Sequence, residues 1–172
     1  MNQKNKILIV RPAPGYQGGI SHYFNVLEKH FSLPVMFFIR GPKSKLYGAK
    51  RLILPFIYLY DIAKYIVCLL AGNYKLIHIN TSIGYAGLLR DLLFIIIGKL
   101  SRAKILVFFR GIHPELHSHI RRKHLWWFSV FFTADTILVL SEEFKRTLLS
   151  WGYKKKIIVE TTAVDNTLVE NI

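Results

Sequence analysis

Short apolar runs rich in β-branched residues recur along this 172-residue chain, and segments of helix length separate them. The runs show little alternation of apolar and polar residues, as expected for strands of a parallel sheet that is covered on both faces. Strands that alternate with helices favour a doubly wound parallel sheet with right-handed crossovers. The predicted strands are Lys6–Val10, Pro34–Arg40, Leu76–Asn80, Lys104–Phe109, Thr136–Leu140 and Lys156–Glu160. The predicted helices are Ser21–His30, Phe56–Ala71, Gly84–Leu100, Glu115–Phe132 and Glu142–Trp151.

The composition predicts one α/β domain over residues 1–172. Apolar residues make up 52% of the chain and aromatic residues 14%, which excludes a disordered protein. The single cysteine, Cys68, excludes an internal disulfide framework and is interpreted as core packing. His113, His117 and His119 have no cysteine or acidic partner at useful spacing, so we expect no metal. The short apolar run after the basic N-terminus is too brief for a secretion signal.

The charge is strongly positive, with 24 Lys and Arg against 10 Asp and Glu, a net charge of +14. Such a surface attracts anionic lipid headgroups, phosphorylated sugars or nucleic acid. The chain carries no helix-turn-helix, zinc-finger or aromatic RNA-platform signature, so we expect no nucleic-acid partner. Four of the positive charges lie in residues 41–51, which have no apolar period and are predicted to form a mobile basic loop.

A glycine-rich bend follows the first predicted strand and opens the first predicted helix. Gly18 and Gly19 would let a phosphate or sugar approach free backbone N–H groups at the helix N-terminus. The alternative is a tight strand–helix turn without a ligand. His22, in the first turn, could donate to a sugar hydroxyl or a phosphate, or could simply be solvated.

Two further strand ends carry polar side chains. Asn80, Thr81 and Ser82 suit the hydroxyl groups of a sugar or acceptor, and equally suit capping of the next helix. Arg110 could bind a phosphate or carboxylate bidentately, or could form an ion pair with Glu115. Carboxyl ends of parallel strands meet at one edge of a sheet, where ligands of such folds bind.

Two segments point to a membrane. Residues 52–70 are apolar except for Pro55, Asp61 and Lys64, so we expect a helix that packs on the sheet or lies on a membrane without crossing it. A basic cluster also adjoins a tryptophan pair, as in helices that rest on anionic lipid, although the same helix has an apolar face typical of a core. The candidate membrane-facing residues are Arg121, Arg122, Lys123 and Trp126.

An ordered series of segments resembles the N-terminal domain of GT-B-fold glycosyltransferases of family 4, which are retaining and use nucleotide sugars. The resemblance covers essentially the whole chain. It implies a Rossmann-like doubly wound sheet that corresponds to the first half of a GT-B fold. The segments are Gly18-Gly19-Ile20, Ile77-His78-Ile79-Asn80-Thr81-Ser82, Phe109-Arg110-Gly111, residues 134–143, Gly152-Tyr153, residues 156–159 and Ala163-Val164-Asp165.

The resemblance also implies an activity. It predicts transfer of a sugar from a nucleotide diphosphate sugar to a lipid-linked or polysaccharide acceptor, in the cytoplasm at the inner face of the cell membrane, without a metal or other cofactor. Arg110 stands where family members often have a histidine, and His113 is the nearest histidine, so Arg110 and His113 are the candidate catalytic residues. Ser141 follows a strand that family members bring near the interdomain cleft. The chain lacks the donor-binding second domain and alone should lack donor affinity and turnover. The alternative is a non-catalytic module that binds anionic lipid or glycan.

Overall fold

The computed structural model describes residues 6–15, 18–42, 48–81, 84–111, 118, 120 and 125–161. Six strands in these residues form one sheet, and every neighbouring pair is parallel. The strands are β1 (Lys6–Pro12), β2 (Val35–Arg40), β3 (Tyr74–Thr81), β4 (Lys104–Phe109), β5 (Thr136–Val139) and β6 (Lys156–Val159). Their order across the sheet is β2-β1-β3-β4-β5-β6. The doubly wound parallel sheet predicted from the sequence is therefore confirmed.

Helices connect the strands, as the alternating pattern predicts. The α-helices are α1 (Gly19–Leu27), α2 (Leu54–Ala71), α3 (Tyr85–Leu100), α4 (Leu125–Phe128) and α5 (Glu142–Ser150). Short 3-10 helices cover Glu28–His30, Gly48–Ile53 and Ser129–Thr133. The Ser141 hydroxyl caps α5 by accepting a 3.2 Å hydrogen bond from the backbone N–H of Phe144, and Gly152 follows this helix at φ 102°. Serine at the capping position and glycine just after the last turn are common ends of an α-helix.

The helices lie on opposite faces of the sheet. Helix α1 covers one face, where Phe24 packs edge-on against Phe37 and His78. Helices α2 and α3 cover the other face, where Tyr65 and Phe94 join the main apolar core. Because α1 and α2 lie on different faces, β2 and β3 reach opposite sides of β1 through right-handed crossovers.

Two sequence predictions differ from the structure. The helix predicted over Glu115–Phe132 is, in the described residues after 124, a single α-helical turn followed by the 3-10 helix Ser129–Thr133. Both helix types bring residues three apart to one side, so Phe128 and Phe131 are buried together as predicted. The predicted loop 41–51 overlaps the 3-10 helix Gly48–Ile53, and residues 43–47 lie outside the described residues.

A buried network of charged side chains joins the sheet to α2 and α3. Asp91, fully buried on α3, accepts hydrogen bonds of 3.0 and 2.9 Å from Arg90 and lies 3.5 Å from the Arg40 guanidinium. Arg40 in turn donates to the backbone oxygen of Asn80 at 2.6 Å. Asp61 on α2 accepts a 2.5 Å hydrogen bond from the backbone N–H of Gly41. These bonds fix the ends of β2 and β3 beside the crevice described next.

Candidate functional site

The chain order reverses between β1 and β3. Strand β2 pairs with one side of β1 and β3 with the other, so the connections leave β1 in opposite directions. In open α/β sheets, ligands bind outside the carboxyl ends of the strands at such a point. Here the bordering strands end at Pro12 and Thr81, and β4 ends beside them at Phe109.

The N-terminus of α1 faces this edge without a side-chain cap. Gly18 occupies the capping position and provides no side-chain cap hydrogen bond, and the first turn of the described helix has no acidic residue. Ser21 fixes the helix in place, because its buried hydroxyl donates to the backbone oxygen of Ala13 at 3.1 Å. A Cβ atom built on Gly18 or Gly19 would meet nothing within 4 Å. The backbone here is open to a ligand and carries the partial positive charge of a helix N-terminus.

Arg110 lies at the same place, directly after β4. Its guanidinium carbon is 3.9 Å from the ring centroid of Tyr23 and 4.4 Å from that of Phe108. Tyr23 belongs to α1, so this stacking brings the cation to the open end of that helix. The Nε and Nη2 atoms of Arg110 are enclosed, and neither has a hydrogen-bond partner. Aromatic rings hold the cation, and two of its enclosed nitrogens lack the acceptor that an anion would supply.

Burial and charge set the protonation states around Arg110. Burial lowers the pKa of Arg110 to about 10, so the guanidinium is charged at neutral pH. Burial, and then the charge of Arg110, lowers the pKa of His78 to about 3, so this imidazole is neutral. Burial and the charge of Glu160 raise the pKa of Tyr23, while Arg110 acts in the opposite direction. The site therefore combines one cation, one neutral imidazole, one neutral phenol and one carboxylate.

Arg11 provides an internal comparison, because it also stacks under α1. Its guanidinium carbon lies 5.5 Å from the Phe24 ring and 5.1 Å from the Phe37 ring. Its nitrogens, however, donate to Asn25 at 2.8 Å and to Glu28 at 3.4 Å. Arg11 is a structural cation with its own acceptors, whereas the enclosed nitrogens of Arg110 have none.

Asn80 and Thr81 lie inside the sheet and are not open to the crevice. The Asn80 side chain donates to the backbone oxygen of Val10 at 3.0 Å, which ties β3 to β1. Its Oδ1 atom and the Thr81 hydroxyl are buried without a partner. Neither residue caps the following helix, since the capping position of α3 is Gly84 and makes no side-chain hydrogen bond.

The other described candidates lie at the surface. His22 is exposed in the first turn of α1, beside Gly18 and Gly19, and its backbone N–H donates to the Gly18 oxygen at 3.2 Å. Ser141 is exposed and its hydroxyl is used as the cap of α5. Trp126 is 76% exposed, as the helical spacing predicted, while its neighbour Trp127 is buried.

Five of the candidates lie outside the described residues. They are Ser82, His113, Arg121, Arg122 and Lys123. Their assigned roles stay predictions. Among the residues that are described, no three His, Cys, Asp or Glu side chains are grouped so that they could hold a metal ion.

Sequence reasoning missed Tyr23, His78 and Glu160. Tyr23 is one helical turn after Gly19 and so shares the side of α1 that begins at the bend, a spacing visible in the sequence. His78 sits within an apolar strand and was counted as part of that strand. Glu160 directly follows β6, so the strand-end argument that selected Arg110 could also have selected it.

Comparison with known proteins supports the architecture. No protein-family model matches the chain, and no curated protein matches it either. Among solved structures, the S. aureus MnaA–UDP co-structure aligns with a TM-score of 0.62 at 13% identity, over 95% of this chain and 47% of that chain. Anabaena Alr3699/HepE in complex with UDP and glucose aligns with a TM-score of 0.56 at 17% identity, over 97% and 46%. HepE in complex with UDP-glucose gives a TM-score of 0.51 at 15% identity, over 95% and 45%.

These similarities establish the fold. The chain is a single Rossmann-like α/β domain that matches half of a GT-B-type structure, as predicted. It spans about half the length of each of these solved structures. The MnaA structure contains UDP, and the two HepE structures contain UDP with glucose and UDP-glucose.

Proposed function

We propose that this domain is the acceptor-side half of an enzyme that acts on nucleotide diphosphate sugars. The observation that carries the proposal is the Arg110 guanidinium, which stacks on Tyr23 at the uncapped N-terminus of α1 with two enclosed, unpartnered nitrogens. A diphosphate offers the negative oxygens that both groups lack. The presence of UDP in the similar solved structures supports the same ligand class.

The geometry suits a role in leaving-group stabilisation. When the bond between a sugar and a nucleoside diphosphate breaks, negative charge accumulates on the departing phosphate oxygen. A fixed guanidinium and fixed backbone N–H groups stabilise that charge without having to reorganise. In this proposal Arg110 pairs with the phosphate oxygens, and Gly18 and Gly19 let the phosphate approach the main chain.

The finer assignment is a retaining glycosyltransferase of family 4. The supporting features are the order of the motifs along the chain and the match to half of each solved neighbour. In the proposal, a second α/β domain supplies most of the donor contacts, and this domain faces a lipid-linked or polysaccharide acceptor at the inner face of the membrane. His113, Ser82 and Ser141 remain candidate contacts to the sugar or acceptor, and no metal is required.

The ligand class can be tested on this chain by a nitrogen-15 NMR titration. The whole donor needs the second domain in this proposal, but the phosphates alone should bind to this domain weakly and saturably. We therefore expect UDP and pyrophosphate to shift the amides of Gly18 and Gly19 and the Arg110 Nε–H. Uridine, which has no phosphate, should leave these signals in place. Equal shifts with uridine, or shifts at unrelated surface lysines alone, would contradict the phosphate assignment.

The alternative is a binding module for anionic lipid or glycan that has no catalytic role. The two functions differ when a second domain is supplied. A two-domain form that contains this chain should hydrolyse or transfer from UDP-sugars, and that activity should depend on Arg110. Binding to lipid or glycan without any turnover of donor would favour the module.

A further inference from the structure

The outer side of α2 and α3 is an exposed apolar surface. On α2, apolar side chains that point to solvent recur at helical spacing along the whole helix, and α3 shows a second stripe of the same kind. Soluble domains rarely expose contiguous apolar surface of this extent without a partner. The α2 stripe comprises Phe56, Leu59, Tyr60, Val67 and Leu70, and the α3 stripe comprises Tyr85, Leu89, Leu93, Ile96 and Leu100.

The two stripes belong to one surface. Helices α2 and α3 lie side by side on the same face of the sheet, where Tyr65 of α2 meets Phe94 of α3 with 4.7 Å between ring centroids. Gly98 brings them close at the other end, since a Cβ atom there would lie 2.9 Å from the Tyr65 hydroxyl. We refer to the two outward stripes together as the α2–α3 surface.

This surface contains no exposed carboxylate. Asp61 and Asp91 are the acidic residues of α2 and α3, and both are buried in the network that holds Arg40 and Gly41. Lys64 on α2 is exposed, and the chain as a whole carries a net charge of +14. An apolar surface on a basic protein is complementary to an anionic bilayer and repels a second copy of the same chain.

The inner side of α2 decides how the helix can meet a membrane. Within the described residues, α2 is the one helix whose length and composition would allow a membrane span, and 17% of its span is buried. Its inner side, however, is fixed to the sheet by Tyr65 and Leu69, and Asp61 lies within it. Leaving the sheet would expose the core, so α2 stays in the domain and offers its outer side.

We propose that the α2–α3 surface docks the domain onto an anionic membrane, with both helices in the plane of the lipid interface. Apolar side chains then enter the boundary between headgroups and acyl chains, while basic residues contact the headgroups. Of the residues predicted for this role from the sequence, Arg121, Arg122 and Lys123 lie outside the described residues. Trp126 is near the α2–α3 surface, since its neighbour Trp127 contacts Tyr85 at 5.6 Å. This surface stands on the helices alone and does not depend on nucleotide binding.

Docking in this orientation turns Arg110 and Tyr23 away from the bilayer, because α1 and the rings that hold Arg110 lie on the opposite face of the sheet from α2 and α3. Helices that connect parallel strands run opposite to them, so α2 and α3 begin at the carboxyl edge of the sheet. Phe56 and Tyr85, near the starts of the two helices, therefore lie on the same edge as Arg110.

Vesicle flotation of the full chain tests the proposal. Vesicles of phosphatidylcholine with about one-third phosphatidylglycerol should carry the protein, and those of phosphatidylcholine alone should carry much less. The double variant Leu59→Glu/Val67→Glu should bind at least roughly tenfold more weakly. The matched control Leu33→Glu/Leu149→Glu has the same change in charge at exposed apolar positions outside the surface and should bind more strongly than that variant.

Two measurements keep the outcomes decisive. Circular dichroism shows whether each variant folds, and the single variant Leu70→Gln, at a side chain 83% exposed, repeats the test if the double variant does not fold. Sedimentation equilibrium of the lipid-free chain tests for a second copy. The proposal would be overturned if Leu59→Glu/Val67→Glu and the control floated equally. It would also be overturned if the chain formed a dimer that Leu59→Glu/Val67→Glu dissociates and the control does not. Neither flotation nor sedimentation depends on UDP binding, so a negative UDP titration would leave both results unchanged.

Discussion

The guanidinium of Arg110 lies over the ring of Tyr23, with 3.9 Å between the Cζ atom and the ring centroid. Tyr23 is on α1 and Arg110 follows β4, two strands away from β1, so the contact depends on how α1 lies across the sheet. It joins the open end of a helix to a cation whose enclosed nitrogens have no partner. A cation held by rings in this way is positioned to bind an anion.

Arg110→Ala should therefore weaken ligand binding without destabilising the domain. A charge-assisted hydrogen bond to a phosphate contributes about 1.5–3 kcal/mol, so we expect at least a tenfold weaker affinity for pyrophosphate in the NMR titration. The thermal midpoint should stay nearly unchanged, because no internal acceptor loses its donor. In a two-domain form, the same variant should reduce sugar transfer at least tenfold.

Arg11→Ala is the matched control for this prediction. It removes a stacked arginine of the same face, but one that donates to Asn25 and Glu28. We expect a clear loss of stability and, in the fraction that remains folded, unchanged pyrophosphate affinity. If Arg110→Ala destabilised the domain as much as Arg11→Ala does, Arg110 would be structural.

Gly19→Val should block phosphate binding while the domain stays folded. The Cβ atom of the new side chain would meet no protein atom within 4 Å. A loss of pyrophosphate affinity would therefore arise because the valine side chain fills space that the ligand would occupy. Melting curves and the pyrophosphate titration measure the two effects separately.

Gly98→Ala serves as the control for Gly19→Val, because we expect it to change the stability of the domain and not its pyrophosphate binding. Its Cβ atom would lie 2.9 Å from the Tyr65 hydroxyl and 3.0 Å from Ile105 Cδ1. This overpacking should cost about 1–3 kcal/mol of stability. If Gly19→Val kept full pyrophosphate affinity, the proposed approach of the phosphate to the main chain at Gly19 would be wrong.

Most of the fold could be predicted from the sequence, because each strand is a continuous apolar run and each connection has helical length. All six predicted strands occur, and their bounds shift by at most two residues at either end. The helix type after Leu125 could not be predicted, since α and 3-10 helices bury the same residues three apart. The rule that ligands bind at the carboxyl ends of parallel strands selected Arg110 as a candidate from its position alone.

The aromatic contacts of Arg110 could not be predicted from the sequence, for a physical reason. Stacking on Tyr23 depends on the tilt of α1 over the sheet, which local patterns do not determine. Asn80 illustrates the reverse error. Its position at a strand end suggested a ligand contact, but its amide bridges to Val10 because two strand ends lie side by side there.

The buried His78 should make stability depend on pH. Its pKa is about 3 in the folded chain against an ordinary value of 6.5, so below pH 6.5 the unfolded state binds a proton that the folded state does not. The free energy of unfolding should fall by up to ~1.4 kcal/mol per pH unit as the pH decreases from 6.5 towards 3. Denaturant unfolding at several pH values measures this slope.

His78→Phe isolates the contribution of the imidazole. Phenylalanine keeps an aromatic ring between Phe24 and Phe108 but cannot be protonated. The difference in unfolding free energy between the wild type and this variant should change steadily across that pH window and become constant above pH 6.5. Parallel curves for the two proteins would mean that His78 titrates normally in the folded chain.

Asp91→Ala should be among the most destabilising single changes in the domain. Asp91 accepts two hydrogen bonds from Arg90 and lies 3.5 Å from Arg40, and all three side chains are buried. Removing the carboxylate takes the negative charge of Asp91 away from two buried guanidinium groups, which costs about 3–5 kcal/mol. Glu142→Ala, which breaks an exposed ion pair with Lys145, should cost about 1 kcal/mol or less. Denaturant titration of both variants measures the contrast, and equal losses would show that Asp91 is solvated in the folded domain.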